Sequence, residues 1–87
     1  MAKKEELNRL VTVEEAEATN LVVMGSRYIP FGHINDSWKR LLSKMEPGDE
    51  LWEYCNAPHY WENLAGRQGI ALVRNGEIIG ELITKMN

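Results

Sequence analysis

The spacing of apolar residues changes twice along the chain, and each change marks a different kind of element. Leu7, Leu10 and Val11 stand at helical intervals among strong helix formers, and Ala16, Leu21 and Met24 keep an approximate helical period as far as Gly25. Thr12-Val13-Glu14-Glu15 fits a capping box, in which a hydroxyl accepts from the third helical amide while a carboxylate reaches back. The pattern predicts an N-terminal helix in two pieces joined near Thr12, frayed over residues 1–11 and ended by a left-handed residue at Gly25. Residues 25–34 hold two glycines and Pro30 and read as a connection. Asn35 or Asp36 then offers a side-chain cap. Trp38, Leu41, Leu42 and Met45 follow at i, i+3, i+4 and i+7, which places Trp38 in the core, and Pro47-Gly48 stops this second helix.

Beyond Gly48 the period falls to two. Leu51 and Cys55 share one face of a strand, and Trp52 and Tyr54 share the other. Residues 56–68 form a short helical turn or ordered loop that Gly66 closes. Two aliphatic runs, Gly69 to Arg74 and Glu77 to Ile83, flank Asn75-Gly76. Both central residues of a type I′ turn need positive φ, which Asn tolerates and Gly adopts freely, so this is a hairpin. Two strands alone are marginal in water, which recruits the 51–55 strand. The expected class is α+β: two N-terminal helices packed on a three-stranded antiparallel sheet that ends in a C-terminal β-hairpin, with residues 1–87 forming one domain.

That arrangement creates a supply problem. Strict alternation sends Ile78 and Leu82 one way and Ile79 and Ile83 the other, so the hairpin is apolar on both faces while two helices can cover only one. At 87 residues, little chain is left over for the second. Trp52, Tyr54, Tyr60, Trp61, Arg67, Ile79 and Ile83 are therefore the candidate interaction residues, and the expected partner is a second copy, giving a homodimer, or another protein.

Charge narrows the alternatives. The net charge is −3: residues 1–48 hold seven basic and seven acidic side chains, and residues 49–87 hold three and six. No basic field gathers a phosphate backbone, which argues against nucleic acid. A winged-helix DNA binder, suggested by helices preceding a hairpin, would have a recognition segment at 59–66 with Glu62 and no Arg or Lys. Cys55 is the only cysteine, so no internal disulfide can form and a reducing cytoplasm is the expected location. The N-terminus lacks the apolar stretch of a signal peptide, and the longest apolar runs, such as Leu21 to Met24, are far too short to cross a bilayer, so no membrane association is expected.

Chemistry adds little. Cys55 and His59 lie four apart, but Pro58 argues against a helix joining them, and one Cys with two His lacks paired metal-ligand motifs. His33, Asp36 and Ser37 have the residue types of a hydrolytic triad without its spacing, and Gly66-Arg67-Gln68-Gly69 lacks the Lys and Ser or Thr of a phosphate loop. No catalytic, metal or cofactor-binding residue is assigned, and no enzymatic activity is expected. The expected function is a small protein-interaction module. The alternative is a small-molecule or anion site, enclosed by Trp52, Tyr54, His59, Tyr60 and Trp61, with Arg67 holding an acidic group.

Overall fold

The computed structural model describes residues 2–86; Met1, at the frayed start expected above, and Asn87 lie outside them. The elements run β1 (Leu7–Val11), α1 (Val13–Thr19), β2 (Leu21–Met24), β3 (Arg27–Pro30), α2 (Asn35–Ser43), β4 (Glu50–Cys55), α3 (Pro58–Glu62), β5 (Arg67–Arg74) and β6 (Glu77–Met86). Short 3-10 turns at Lys4–Glu6 and Gly32–Ile34 precede β1 and α2. Strands β1, β4, β5 and β6 form one antiparallel sheet in the order β1-β4-β5-β6, and β2 and β3 form a separate two-stranded ribbon.

The α+β class stands, but the expected arrangement within it is corrected. The sheet has four strands instead of three, a second hairpin stands beside it, and the helices come mid-chain after a strand. Two physical causes account for this. The Thr12 capping box forms as expected: Glu15 N donates to Thr12 Oγ1 at 3.1 Å and Thr12 N donates to Glu15 Oε1 at 2.9 Å. Its cap residue is extended, at φ −89° and ψ 167°, so no helix can run through it. Residues 7–11 enter the cap as a strand, with Val11 paired to Leu51.

At the far end, α1 stops at Thr19 because Leu21, Val22 and Val23 gain more on a pleated surface than in a helix. Gly25, at φ +65°, takes the first place of the two-residue turn between Met24 and Arg27. The expected left-handed glycine is present, but it turns a hairpin. The expected side-chain cap on the second helix is also absent. The 3-10 turn runs straight into α2, and Asn35 Nδ2 instead donates to the Pro30 carbonyl at 2.9 Å.

Residues directly opposite one another in a sheet share a face. Leu51 with Leu72, and Ile70 with Leu82, face α1 and α2, where Trp38, Leu41, Phe31 and Ala16 complete the main core. Trp38 packs its ring 4.5 Å from that of Phe31, and its Nε1 donates to Glu17 Oε2 at 2.9 Å, tying α2 to α1. Trp52 with Ala71, and Val73 with Ile78, face the other way, where Tyr54, Leu7 and Ala2 join them in a second cluster.

The expected alternation of the last strand is broken by a bulge. Leu72 pairs with Gly80 and Val73 with Ile78, which leaves Ile79 as the extra residue. Ile78 and Leu82 therefore lie on opposite faces, not the same one. The Asn75-Gly76 turn has φ of 52° and 80°, the two positive values that a type I′ hairpin requires.

Arg74, the last residue of β5, locks the sheet to the end of α2. Its Nε and Nη2 donate to both Asp49 carboxylate oxygens, at 2.9 and 2.8 Å, and Nη2 also reaches the Lys44 carbonyl at 3.1 Å and Glu46 Oε2 at 2.8 Å. Asp49 in turn accepts from the Glu46 amide at 2.9 Å.

Two outcomes follow from this packing. Trp38→Ala leaves a large void in the main core and should cost about 3 to 5 kcal/mol in chemical denaturation; an unchanged midpoint would contradict the buried assignment. The Arg74 guanidinium, followed by the Glu46 amide, holds the Asp49 carboxyl below the ordinary carboxylate range. A carboxyl lowered by folding stabilises the native state above its unfolded pKa, and this contribution disappears as pH falls through the folded value. The difference in melting midpoint between the natural chain and Asp49→Asn should therefore be full near pH 7 and shrink below about pH 4. A difference constant across that range would show that the clamp acts without its charge.

Candidate interaction surface and cavity

The structure divides the expected aromatic group. Tyr54, Tyr60 and Arg67 line one cavity; Trp52, Trp61 and His59 do not. Trp52 is half-buried against Ala71 and donates from Nε1 to Glu50 Oε1 at 3.1 Å. Trp61, on α3, donates from Nε1 to the Asn56 carbonyl at 3.2 Å and lays its ring over Gly66, where an added Cβ would fall 2.1 Å from a ring carbon. Only glycine admits that approach. His59 is exposed and stacks on Tyr60, with ring centroids 4.2 Å apart. Cys55 is half-buried on β4, and no group of three or more potential metal ligands occurs among the described residues. Ile83 is half-buried opposite Gly69, and Ile79 is the exposed bulge residue.

Where Tyr54, Tyr60 and Arg67 meet, a cavity of about 200 Å³ lies between them and residues 2–6. Its walls depend on Glu6, a carboxylate only 7% exposed. Glu6 Oε1 accepts from the Lys3 amide at 2.9 Å and Oε2 from Asn56 Nδ2 at 3.0 Å, and Asn56 Oδ1 accepts from the Arg67 amide at 2.7 Å. These bonds tie the N-terminal segment to the start of β5. Lys3 Nζ donates to Tyr60 Oη at 3.2 Å, and the Ala2 amide donates to Glu81 Oε2 at 3.1 Å.

At the floor of the cavity Tyr54, 1% exposed, carries a hydroxyl with no hydrogen-bond partner among the described residues. Glu81 lies close enough to act on it, although not in hydrogen-bonding geometry. Burial first, and then this carboxylate, push the Tyr54 pKa up, so the group remains a proton donor. The cavity suits water or a small polar solute with an acceptor oxygen. Glu6, Asn56 and Glu81 are missing from the expected site because nothing local in sequence marks them: 50 residues separate Glu6 from Asn56.

The largest unexpected feature lies elsewhere. Leu21, Val22, Val23 and Tyr28, all on the β2–β3 ribbon, are 48, 42, 63 and 72% exposed. Leu21 is opposite Pro30 and Val23 opposite Tyr28, so Leu21, Val23 and Tyr28 form one open apolar face. By contrast the second face of the main sheet is largely covered by its own chain, since Tyr54, Ala71 and Val73 are buried beneath Ala2, Trp52 and Ile78. Among the described residues, four of the eight exposed large apolar side chains lie on the ribbon, with Leu10, Leu64, Ile79 and Met86 elsewhere. Leu21 to Met24 stood out in the sequence as an uninterrupted apolar run, and that run followed by Gly-Ser was the available signal.

No protein-family model, curated protein or solved structure matches the chain. Among the described residues, no helix is long and apolar enough to cross a membrane.

The unpaired Tyr54 hydroxyl yields a measurable outcome. Tyr54→Phe removes a buried polar group that has no partner, so it should leave stability unchanged or raise it by up to about 1 kcal/mol in urea denaturation. A loss larger than about 1 kcal/mol would mean that the hydroxyl is bonded in solution.

Proposed function

We propose that the chain is a small protein-interaction module that docks through the β2–β3 ribbon. The observation that carries this reading is the coincidence of an open apolar face and an unpaired strand edge on one short element. Leu21, Val23 and Tyr28 present on the order of 300 Å² of mostly apolar surface on that face, the size of the largest patch on a monomer, which is often functional. A two-stranded ribbon has little independent stability, so a docked strand would also complete it. The interaction residues anticipated on the main sheet do not carry this reading, because their neighbours already cover most of them.

A second reading rests on the Tyr54 cavity: a small polar solute accepting a hydrogen bond from the buried hydroxyl. Such a solute would raise the melting midpoint of the natural chain and leave that of Tyr54→Phe unmoved.

The docking reading is tested by replacing Tyr28 with a photo-crosslinking phenylalanine analogue in cells expressing the chain, with the same analogue at exposed Lys39 on α2 as control. Discrete adducts are expected from position 28 and not from position 39. Adding Val23→Lys should abolish them while changing stability by no more than about 0.5 kcal/mol, because Val23 points away from the core. Equal labelling at both positions would sink the proposal.

A further inference from the structure

The partner is the question that the ribbon's main chain can answer. Antiparallel strands alternate residues that bond across the pair with residues whose amide and carbonyl point outward. The Phe31 amide donates to the Asn20 carbonyl at 2.7 Å, which fixes the phase. Asn20, Val22 and Met24 bond inward to Phe31, Ile29 and Arg27, and Leu21 and Val23 turn both their main-chain groups outward. The ribbon's two outer edges are then very different. On β3 the outward residues are Tyr28 and Pro30; Pro30 has no N–H, and its carbonyl already accepts from Asn35. On β2 the outward residues are Leu21 and Val23, with both N–H groups and both carbonyls present. Nothing between Leu21 and Met24 is charged or proline.

We infer that the occupant of this edge is a second copy of the chain, paired antiparallel through β2 with Val22 facing Val22 across a two-fold axis. This rests on the docking reading above and deepens it. In that register Leu21 of each copy faces Val23 of the other, both are outward residues, and each pair exchanges two main-chain hydrogen bonds, about four in all. A shift of one residue would set outward groups against inward ones. No like charges meet across the axis, although the chain as a whole is acidic, since β2 carries none. The open faces of Leu21, Val23 and Tyr28 from the two copies merge into one apolar surface. Edge pairing leaves that merged face open and buries mainly the rim of β2, less than the roughly 800 Å² per partner of standard stable complexes, so the pair is weak and concentration-dependent.

The mass in solution should rise from the 10.0 kDa of one chain towards twice that value between about 10 μM and 1 mM, a range set by the small area, in light scattering of the full chain. Val23→Lys should remain at the single-chain mass throughout. The register is read separately by cysteine cross-linking in a Cys55→Ser background. Random collisions follow exposure and favour Val23→Cys, at 63%, over Val22→Cys, at 42%. Pairing about Val22 reverses that order, because facing residues of a non-hydrogen-bonded pair are close enough for a disulfide. A single-chain mass at 1 mM, or cross-linking faster at position 23 than at 22, overturns the inference. Adducts from position 28 to other proteins only, with a single-chain mass at 1 mM, would overturn the second copy while the docking reading survived; no adducts together with a single-chain mass at 1 mM would remove both.

Discussion

Burying β5 on both of its faces is the constraint from which the rest of the architecture follows. Ile70 and Leu72 enter the core under α2, and Ala71 and Val73 enter the opposite cluster, so this strand has to be central and both sides of the sheet have to be covered. A chain of 87 residues meets that demand by dividing its helical material. The two longer helices cover one side. A single 3-10 turn, the opening residues and α3 lie towards the other, held together by Glu6 and Asn56 instead of by large apolar contacts. The thinner cover is what leaves a cavity there.

Once both sides of the sheet take up the available material, the β2–β3 ribbon is left with very little. It is anchored at its base, where Phe31 adopts φ +63° to turn the chain and bury its ring against Trp38. A bulky residue in that region costs about 1 to 2 kcal/mol, offset here by the burial of an aromatic ring. Gly32 packs directly under Val22. The tip has no such support.

How much could be read from sequence depended on whether a local signal competed with pairing. The Asn75-Gly76 hairpin, the Thr12 capping box, the Trp38 helix and the split of Trp52 and Tyr54 from Leu51 were legible, because turn chemistry and short periods determine them within a few residues. Leu7, Leu10 and Val11 also match a helical period, and only pairing with β4, some forty residues away, makes them a strand. The valines of β2 were read through a loose helical spacing when their β-branching was the better guide. The bulge at Ile79 has no local signature, and it reversed a face assignment built on strict alternation. Of the site residues, aromatic type brought Tyr54 and Tyr60 to notice, but their polar companions come together only through tertiary contacts.

That bulge matters for more than side-chain direction. At ten residues β6 is the longest strand, and it forms the outer rim of the sheet, the situation in which chain after chain can stack into fibrils. An irregular step partway along the rim denies an incoming strand a straight template of matching length, so the protein guards its longest edge by geometry as well as by the charges of Glu77, Glu81 and Lys85.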